Sequence, residues 1–490
     1  MSTAGVAAPV VQTQYGPVLG REKNGVMMFN GIPYAAPPTG DLRFKAPQAP
    51  ETWDDIRDGT RFGPAAPQLP SGGMTNSVPV KWDEDCLFLN ICTPSADGAR
   101  RPVLVWIHGG AYRSGQGAVP WYNGSSFALN GDIVVVSVNY RLGALGFTDL
   151  SRFGKEFATS GANGTLDQIH ALRWIKKNIE YFGGDPDRVT IAGESAGGFS
   201  VCTLVANEHA QGLFQRAVSQ SGSAEQVLSA ELGNRVADLL LDELGAENAD
   251  DMMNAPVMDI LEAMNRVDKR YSPSGIGNGA VQAFYPVVGS EVIPVAPLEA
   301  IKRGVGNAVV LMAGVNKDEN SLFIPPGVTE EKLAKQAERM GSLSLIEDYR
   351  EILPGASPTD LAVQIASDQL FRMPTIRMME ARAENRSAGW MYEFDWESRQ
   401  PHLKATHALE IPFVFNTLEA TGVDAFIGPG EFPQSVADDM HSVWTAFIQG
   451  SDPSWSEYNM QTRTVMHFDN TSSVVENGDV ARIAAWNKVR

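Results

Sequence analysis

The most informative segment of the chain is Val189-Thr-Ile-Ala-Gly-Glu-Ser-Ala-Gly-Gly198. Val189 to Ala192 is a short apolar run without alternation, the pattern of a strand covered on both faces. It enters Gly193-Glu194-Ser195-Ala196-Gly197, a G-x-S-x-G pattern, and small residues follow through Gly198. A strand, a glycine-flanked serine and a helix start, in that order, describe a sharp strand-to-helix turn. Glycines two before and two after the serine let the backbone crowd without a Cβ clash. The turn presents the Ser195 hydroxyl at the carboxyl edge of a sheet. It lies over a helix N-terminus, which favours developing negative charge.

The neighbouring segments extend this pattern. Val103-Leu-Val-Trp-Ile107 runs into His108-Gly-Gly, and Ile133-Val-Val-Val-Ser-Val138 follows Gly131-Asp. Between them and the serine, Leu166, Ile169, Leu172, Ile175 and Ile179 recur at helical spacing from Thr165 to Phe182, and Gly183-Gly184 ends the run. Later strands are expected at Ala217–Gln220, 308–313 and Trp390–Phe394. Strands alternating with helices predict an α/β fold with a mostly parallel sheet. The stretches at about 225–300 and 320–385 read as helical insertions over one end of that sheet, and 395–434 as loop-rich. Val11 to Val18 and Met27 to Phe29 are expected to form a short antiparallel pair.

A serine is a weak nucleophile without a base and a group that orients the base. In the order Ser, acid, His, the base must lie well beyond Ser195. His407 sits in Thr406-His-Ala-Leu-Glu-Ile-Pro412, after the 390–394 strand, and His402 competes with it on spacing. Glu319 sits in Gly314-Val-Asn-Lys-Asp-Glu-Asn320, beyond a strand end, where catalytic groups of α/β sheets lie. Asp318 and Asp395 compete for the same role. Acyl transfer also needs N–H donors for an oxyanion. Ile107-His-Gly-Gly-Ala-Tyr112 supplies a suitable loop, paired with the N–H of Ala196. Tyr112, Trp121 and Tyr122, close to that loop, are candidates for lining a pocket. Gly275-Ile-Gly-Asn-Gly-Ala280 follows Ser-Pro-Ser rather than a strand, so it does not read as a dinucleotide site.

Composition limits the partners. The 490 residues carry 39 Lys/Arg and 58 Asp/Glu, a net charge of −19. That argues against nucleic acid and against anionic membranes. Hydrophobic residues are 43%, ordinary for a globular chain. Cys86, Cys92 and Cys202 form neither a disulfide framework nor a metal site. The N-terminal MSTAGVAAPVV lacks a basic n-region and a long apolar core, so a cytoplasmic location is expected. Three sequons, at Asn123, Asn163 and Asn470, carry no weight in that setting. No metal and no cofactor is expected. The oligomeric state is not legible.

Several further segments carry a resemblance. Phe29-Asn-Gly-Ile-Pro-Tyr-Ala-Ala-Pro-Pro-Thr-Gly40, Leu42-Arg-Phe44, Trp53 and Glu84-Asp-Cys-Leu-Phe-Leu-Asn90 resemble the N-terminal signatures of the type-B carboxylesterase family. Val136-Ser-Val-Asn-Tyr-Arg-Leu-Gly-Ala-Leu-Gly-Phe147, Phe182-Gly-Gly-Asp-Pro, the 189–198 segment and Gln220-Ser-Gly-Ser223 match it in consistent order. Within the family the chain is most similar to bacterial p-nitrobenzyl-esterase-like enzymes. The resemblance implies an α/β-hydrolase fold: a single domain over 1–490, helices on both sheet faces, and insertions at about 225–300, 320–385 and 415–435 walling the active site. It implies Ser195 as nucleophile, Glu319 as acid and His407 as base. It assigns the oxyanion hole to Gly109, Gly110, Ala111 and Ala196, and a supporting buried cluster to Glu194, Ser221 and Glu410. The implied activity is hydrolysis of small-molecule carboxylic esters. An amide- or carbamate-preferring hydrolase and a non-catalytic binding member are the alternatives. Ala111 stands where many animal members have a third glycine, and Asn320 where glycine is common. Cys86 lies in a segment that forms a disulfide in secreted relatives, with no earlier cysteine to pair with.

Overall fold

Alternate residues of the strand that precedes His108 enter different cores. Val103, Val105 and Ile107 pack into one hydrophobic cluster, and Leu104 and Trp106 into another. Both faces of this strand are therefore buried, which is why its sequence is apolar without alternation. The computed structural model describes residues 8–70, 79–271, 282–339, 341 and 343–489. Its main sheet has eleven strands. In chain order these are β1 (Arg21–Lys23), β2 (Val26–Pro33), β3 (Phe88–Thr93), β4 (Arg101–Ile107), β5 (Val134–Val138), β6 (Gly184–Glu194), β7 (Arg216–Gln220), β8 (Val310–Asn316), β9 (Gly389–Phe394), β10 (Val465–Phe468) and β11 (Ser473–Val475). Across the sheet they run β11-β10-β9-β8-β7-β6-β4-β5-β3-β2-β1. From β10 to β5 neighbours are parallel, and the pairings at both edges are antiparallel.

The helix Asn163–Asn178 lays Ile169, Leu172 and Ile175 on one face of this sheet. The helix Gln434–Gln449 covers the other with Val436, Met440, Trp444 and Phe447. The fold is thus α/β, with a large mostly parallel sheet covered on both sides. The first helix continues as a 3₁₀ turn, Ile179–Phe182, and stops at Gly183, whose φ of 83° ends it.

The expected N-terminal pair is corrected. Val10–Gln12 pairs antiparallel with Pro17–Leu19 in a separate small sheet, because the chain already reverses at Thr13–Gly16. Val26–Pro33 instead belongs to the main sheet and pairs with β1 across Asn24-Gly25, both left-handed (φ 53° and 81°). Asn-Gly is the preferred pair for so tight a hairpin. Strand β3, unmarked in the sequence reading, bridges β2 and β5.

The stretch at about 225–300 holds the helices Ala230–Leu244, Ala249–Asn254, Val257–Tyr271 and Pro297–Lys302. Glu330–Arg339, Leu345–Ile352, Pro358–Ser367 and Met373–Glu384 occupy the next one, with a π-helical turn, Asp368–Arg372, between the last two. The 275–280 glycine pattern lies outside the described residues. All three cysteines are buried and free. Among the described residues no helix is long and apolar enough to cross a membrane.

Candidate active site

Strand β6 ends at Glu194 and the next helix begins at Ala196. Ser195 alone makes the turn, at φ 56° and ψ −124°, a conformation unfavourable for any residue but glycine. Its N–H donates to Gln220 O (3.0 Å) and its carbonyl accepts from Phe199 N–H (2.8 Å). The glycine spacing has a direct cause. A Cβ on Gly197 would lie 2.0 Å from Ile107 O, and one on Gly193 would lie 2.6 Å from the Gly197 backbone.

Glu319 opens a 3₁₀ turn just beyond β8 and is buried. Its Oε1 accepts from the N–H of Asn316, the last residue of β8 (2.8 Å), and its Oε2 lies 2.6 Å from His407 Nδ1. Accepting through Oε2, Glu319 keeps the neutral-state ring proton on Nδ1 and leaves Nε2 as the acceptor. Asp318 turns the other way: its Oδ1 accepts from Gln364 Nε2 (2.8 Å). His402 is exposed, and Asp395 pairs with His467 (2.9 Å). Of the competing residues, Glu319 and His407 are the pair that meets beside Ser195.

Nε2 of His407 faces Glu194, whose Oε1 is 3.1 Å away. No hydrogen bond joins Ser195 Oγ to the imidazole among the described residues. The ring packs against Phe371 (centroids 4.8 Å apart) and Phe323 (5.6 Å). Burial pushes Glu194 up to about 8. Burial pulls His407 down, but Glu194 and then Glu319 outweigh it and carry the imidazole up to about 9. Only a neutral imidazole can accept a proton, so a raised value moves the acidic limb of activity to higher pH. Glu194→Gln removes the larger of the two raising charges. The acidic limb of kcat/KM is therefore expected to move to lower pH in E194Q, read from pH profiles of both enzymes. An unmoved limb would contradict this electrostatic assignment.

Two further carboxyl and hydroxyl groups, Glu410 and Ser221, lie buried nearby. Glu410 is fully buried and accepts from Gln220 Nε2 (3.1 Å) and Asn316 Nδ2 (2.7 Å). Burial, then Glu319, push its carboxyl up. Ser221 is buried at φ 48°, but its hydroxyl has no partner among the described residues, so it stands apart from this hydrogen-bonded network. Gln220 and Asn316 are members the sequence reading missed. Both are the last residues of their strands, β7 and β8, and that position was the available signal.

The loop after β4 approaches Ser195 closely. A Cβ on Gly109 would lie 2.6 Å from Glu194 O and 3.0 Å from Ser195 Cβ. Gly110, Ala111 and Tyr112 all have positive φ (112°, 53° and 58°). Gly110 O accepts from Arg113 N–H (2.9 Å) and Ser114 N–H (3.1 Å), while the N–H groups of Gly110 and Ala111 meet no acceptor among the described residues. The N–H of Ala196 opens its helix, among the donors a helix leaves unpaired.

Gly109, Gly110, Ala111, Glu194, Ser195 and His407 border a cavity of about 420 Å³. Leu261 and Met264, Leu322 and Phe323, and Phe426 line it, one contribution from each expected insertion. Tyr122 lines it as well, whereas Tyr112 and Trp121 are fully buried in the core. Among the described residues one cluster with metal-ligating residue types occurs, Glu393, Asp395 and His467. Arg372 already holds Glu393 through both Nη atoms, and His467 holds Asp395, so the charges there are matched without a cation.

The carboxylesterase family model matches residues 7–486. The para-nitrobenzyl esterase of Bacillus subtilis (strain 168) is 34% identical over 485 residues, covering 95% of this chain and 96% of the relative. The phenmedipham hydrolase of Pseudarthrobacter oxydans is 34% identical over 465 residues, covering 91% of each. Among solved structures, a Geobacillus stearothermophilus carboxylesterase superposes with a TM-score of 0.85 at 36% identity, covering 97% of this chain and 99% of that one. The likeness runs through sheet, elbow and insertions alike: the chain belongs to the carboxylesterase family and is a hydrolase with that family's α/β-hydrolase fold.

Proposed function

We propose that the protein hydrolyses neutral carboxylic esters through an acyl-enzyme on Ser195. The observation that carries this reading is the 2.6 Å contact of His407 Nδ1 with Glu319, at a cavity bordered by a strained serine and a glycine loop. His407 Nε2 takes the Ser195 proton as Oγ attacks the carbonyl carbon. The oxyanion is received by the N–H groups of Gly110, Ala111 and Ala196, beside Gly109. The imidazolium, steadied by Glu319, then protonates the leaving alcohol, and water repeats the sequence on the acyl-enzyme. Glu194 and Glu410 shape the field around the imidazole. Apart from Glu194, His407 and the Arg113–Asp268 ion pair, the lining is mostly apolar, which favours uncharged substrates.

The chain acts in this reading as one domain, 1–490, in the cytoplasm, a setting that three free buried cysteines suit. The test is labelling with a fluorophosphonate, followed by mapping of the modified peptide and a panel of p-nitrophenyl esters, carbamates and anilides. Stoichiometric label on Ser195 with ester turnover is expected. Absence of label would overturn the reading in favour of a non-catalytic member, and faster anilide or carbamate turnover would overturn the ester preference.

A further inference from the structure

The oxyanion loop is gripped from outside the α/β core. Ala111 and Tyr112 are consecutive non-glycine residues in the left-handed region, a conformation that persists only where surroundings enforce it. Tyr112 is one anchor. Its ring is fully buried, edge-on to Phe147 (5.0 Å) and Tyr285 (5.1 Å), and its hydroxyl accepts from Ser200 Oγ (3.3 Å). The Tyr112 carbonyl accepts from Gly143 N–H (2.6 Å).

The remaining anchors come from the helix Val257–Tyr271, in the first insertion. Arg113, the next residue along the loop, forms an ion pair with Asp268 of that helix and donates to Asn265 Oδ1 (3.1 Å). The two charged side chains are only 21% and 28% exposed, at the cavity wall. Met264 of the same helix meets the other end of the Tyr112 bond: its Sδ accepts from Ala144 N–H (3.3 Å), and its Cε fills the place of a Gly143 Cβ. The helix therefore holds the loop directly through Arg113 and indirectly through Gly143.

We propose that Arg113 is a positioning residue, whose ion pair with Asp268 ties the helix Val257–Tyr271 to the oxyanion loop and keeps the Gly110 and Ala111 N–H groups aimed at the reacting carbonyl. The proposal rests on the esterase reading above. Arg113 touches no reacting atom. Without its anchor the strained turn relaxes and the donors swing out of line. Donors of this kind act on the oxyanion more than on the ground-state carbonyl, so kcat suffers and KM hardly moves.

The variants are Arg113→Met, which keeps the side-chain stem, Asp268→Asn, which keeps the shape, and the exchanged pair R113D/D268R. Each is checked for folding by thermal melting. The readouts are kcat, KM and the affinity of an aryl trifluoromethyl ketone, which forms a tetrahedral oxyanion on the serine. Deleting a donor outright costs about 10²–10³ in rate, so loosening two should cost about 10–100-fold in kcat. Ketone affinity should fall by the same factor and KM should stay near wild type. The exchanged pair should recover most of the loss. Wild-type kcat and ketone affinity in both R113M and D268N would overturn the proposal, as would a change confined to KM or no recovery in the exchanged pair. Those failures leave the fluorophosphonate label on wild-type Ser195 intact, whereas failure of the esterase reading removes it.

Discussion

Ser195→Ala is expected to lower kcat for p-nitrophenyl acetate by about 10⁴–10⁶-fold without unfolding the protein. In the proposed mechanism its Oγ is the one atom of the site with no substitute. Water attacking directly would keep only what the oxyanion donors and binding provide, about 10³–10⁴ over the uncatalysed reaction. The fold should not notice the change. Among the described residues Ser195 Oγ makes no hydrogen bond to the protein, so its loss orphans no partner. Alanine tolerates the φ of 56° about as badly as serine, so the turn is no more strained than before. The melting temperature should match wild type, and a substrate should still compete for the cavity. Turnover at the wild-type rate in S195A would end the covalent mechanism proposed here.

Glu319→Gln is expected to cost about 10⁴ in kcat, close to 5 kcal/mol of transition-state stabilisation. The size follows from hydrogen-bond geometry rather than charge alone. Glu319 Oε1 accepts from the Asn316 N–H. A glutamine must keep its carbonyl oxygen at that donor, and so it turns its amide NH₂ toward His407 Nδ1. Nδ1 then has to accept, which moves the imidazole proton to Nε2, the atom that must receive the serine proton. The variant holds its base in the wrong tautomer, and the buried imidazolium also loses its partner. Packing is nearly isosteric, so stability should change little. A loss of less than about tenfold, measured as kcat on a fully folded E319Q, would show that Glu319 does not orient the base.

The elbow was legible because its chemistry is local. Gly193 and Gly197 are dictated by backbone contacts within a few ångströms of Ser195, and the requirement repeats wherever a strand turns so sharply into a helix. The parallel strands were legible for a related reason: burial on both faces leaves continuous apolar runs such as Val103–Ile107. The N-terminal pairing was misread because register between Val11, Val18 and Met27 depends on two turns, and Asn24-Gly25, the stronger turn signal, went unused. Strand β3 carries apolar and polar residues in no simple period, so only its neighbours identify it.

By itself the sequence determined the α/β class, the serine turn, the glycine loop after β4 and, through its resemblance, the family. All of these are written in contacts between residues near one another in the chain, or in motifs long enough to be specific. Tertiary structure decided the rest. It turned Glu319 toward His407 and the adjacent Asp318 toward Gln364. It brought Gln220 and Asn316 under Glu410, set Nε2 of His407 against Glu194, and joined Arg113 to Asp268. These partners come from different strands and insertions, and their meeting depends on how whole segments pack. No short window of sequence records that placement, because each residue would look the same with its partner elsewhere.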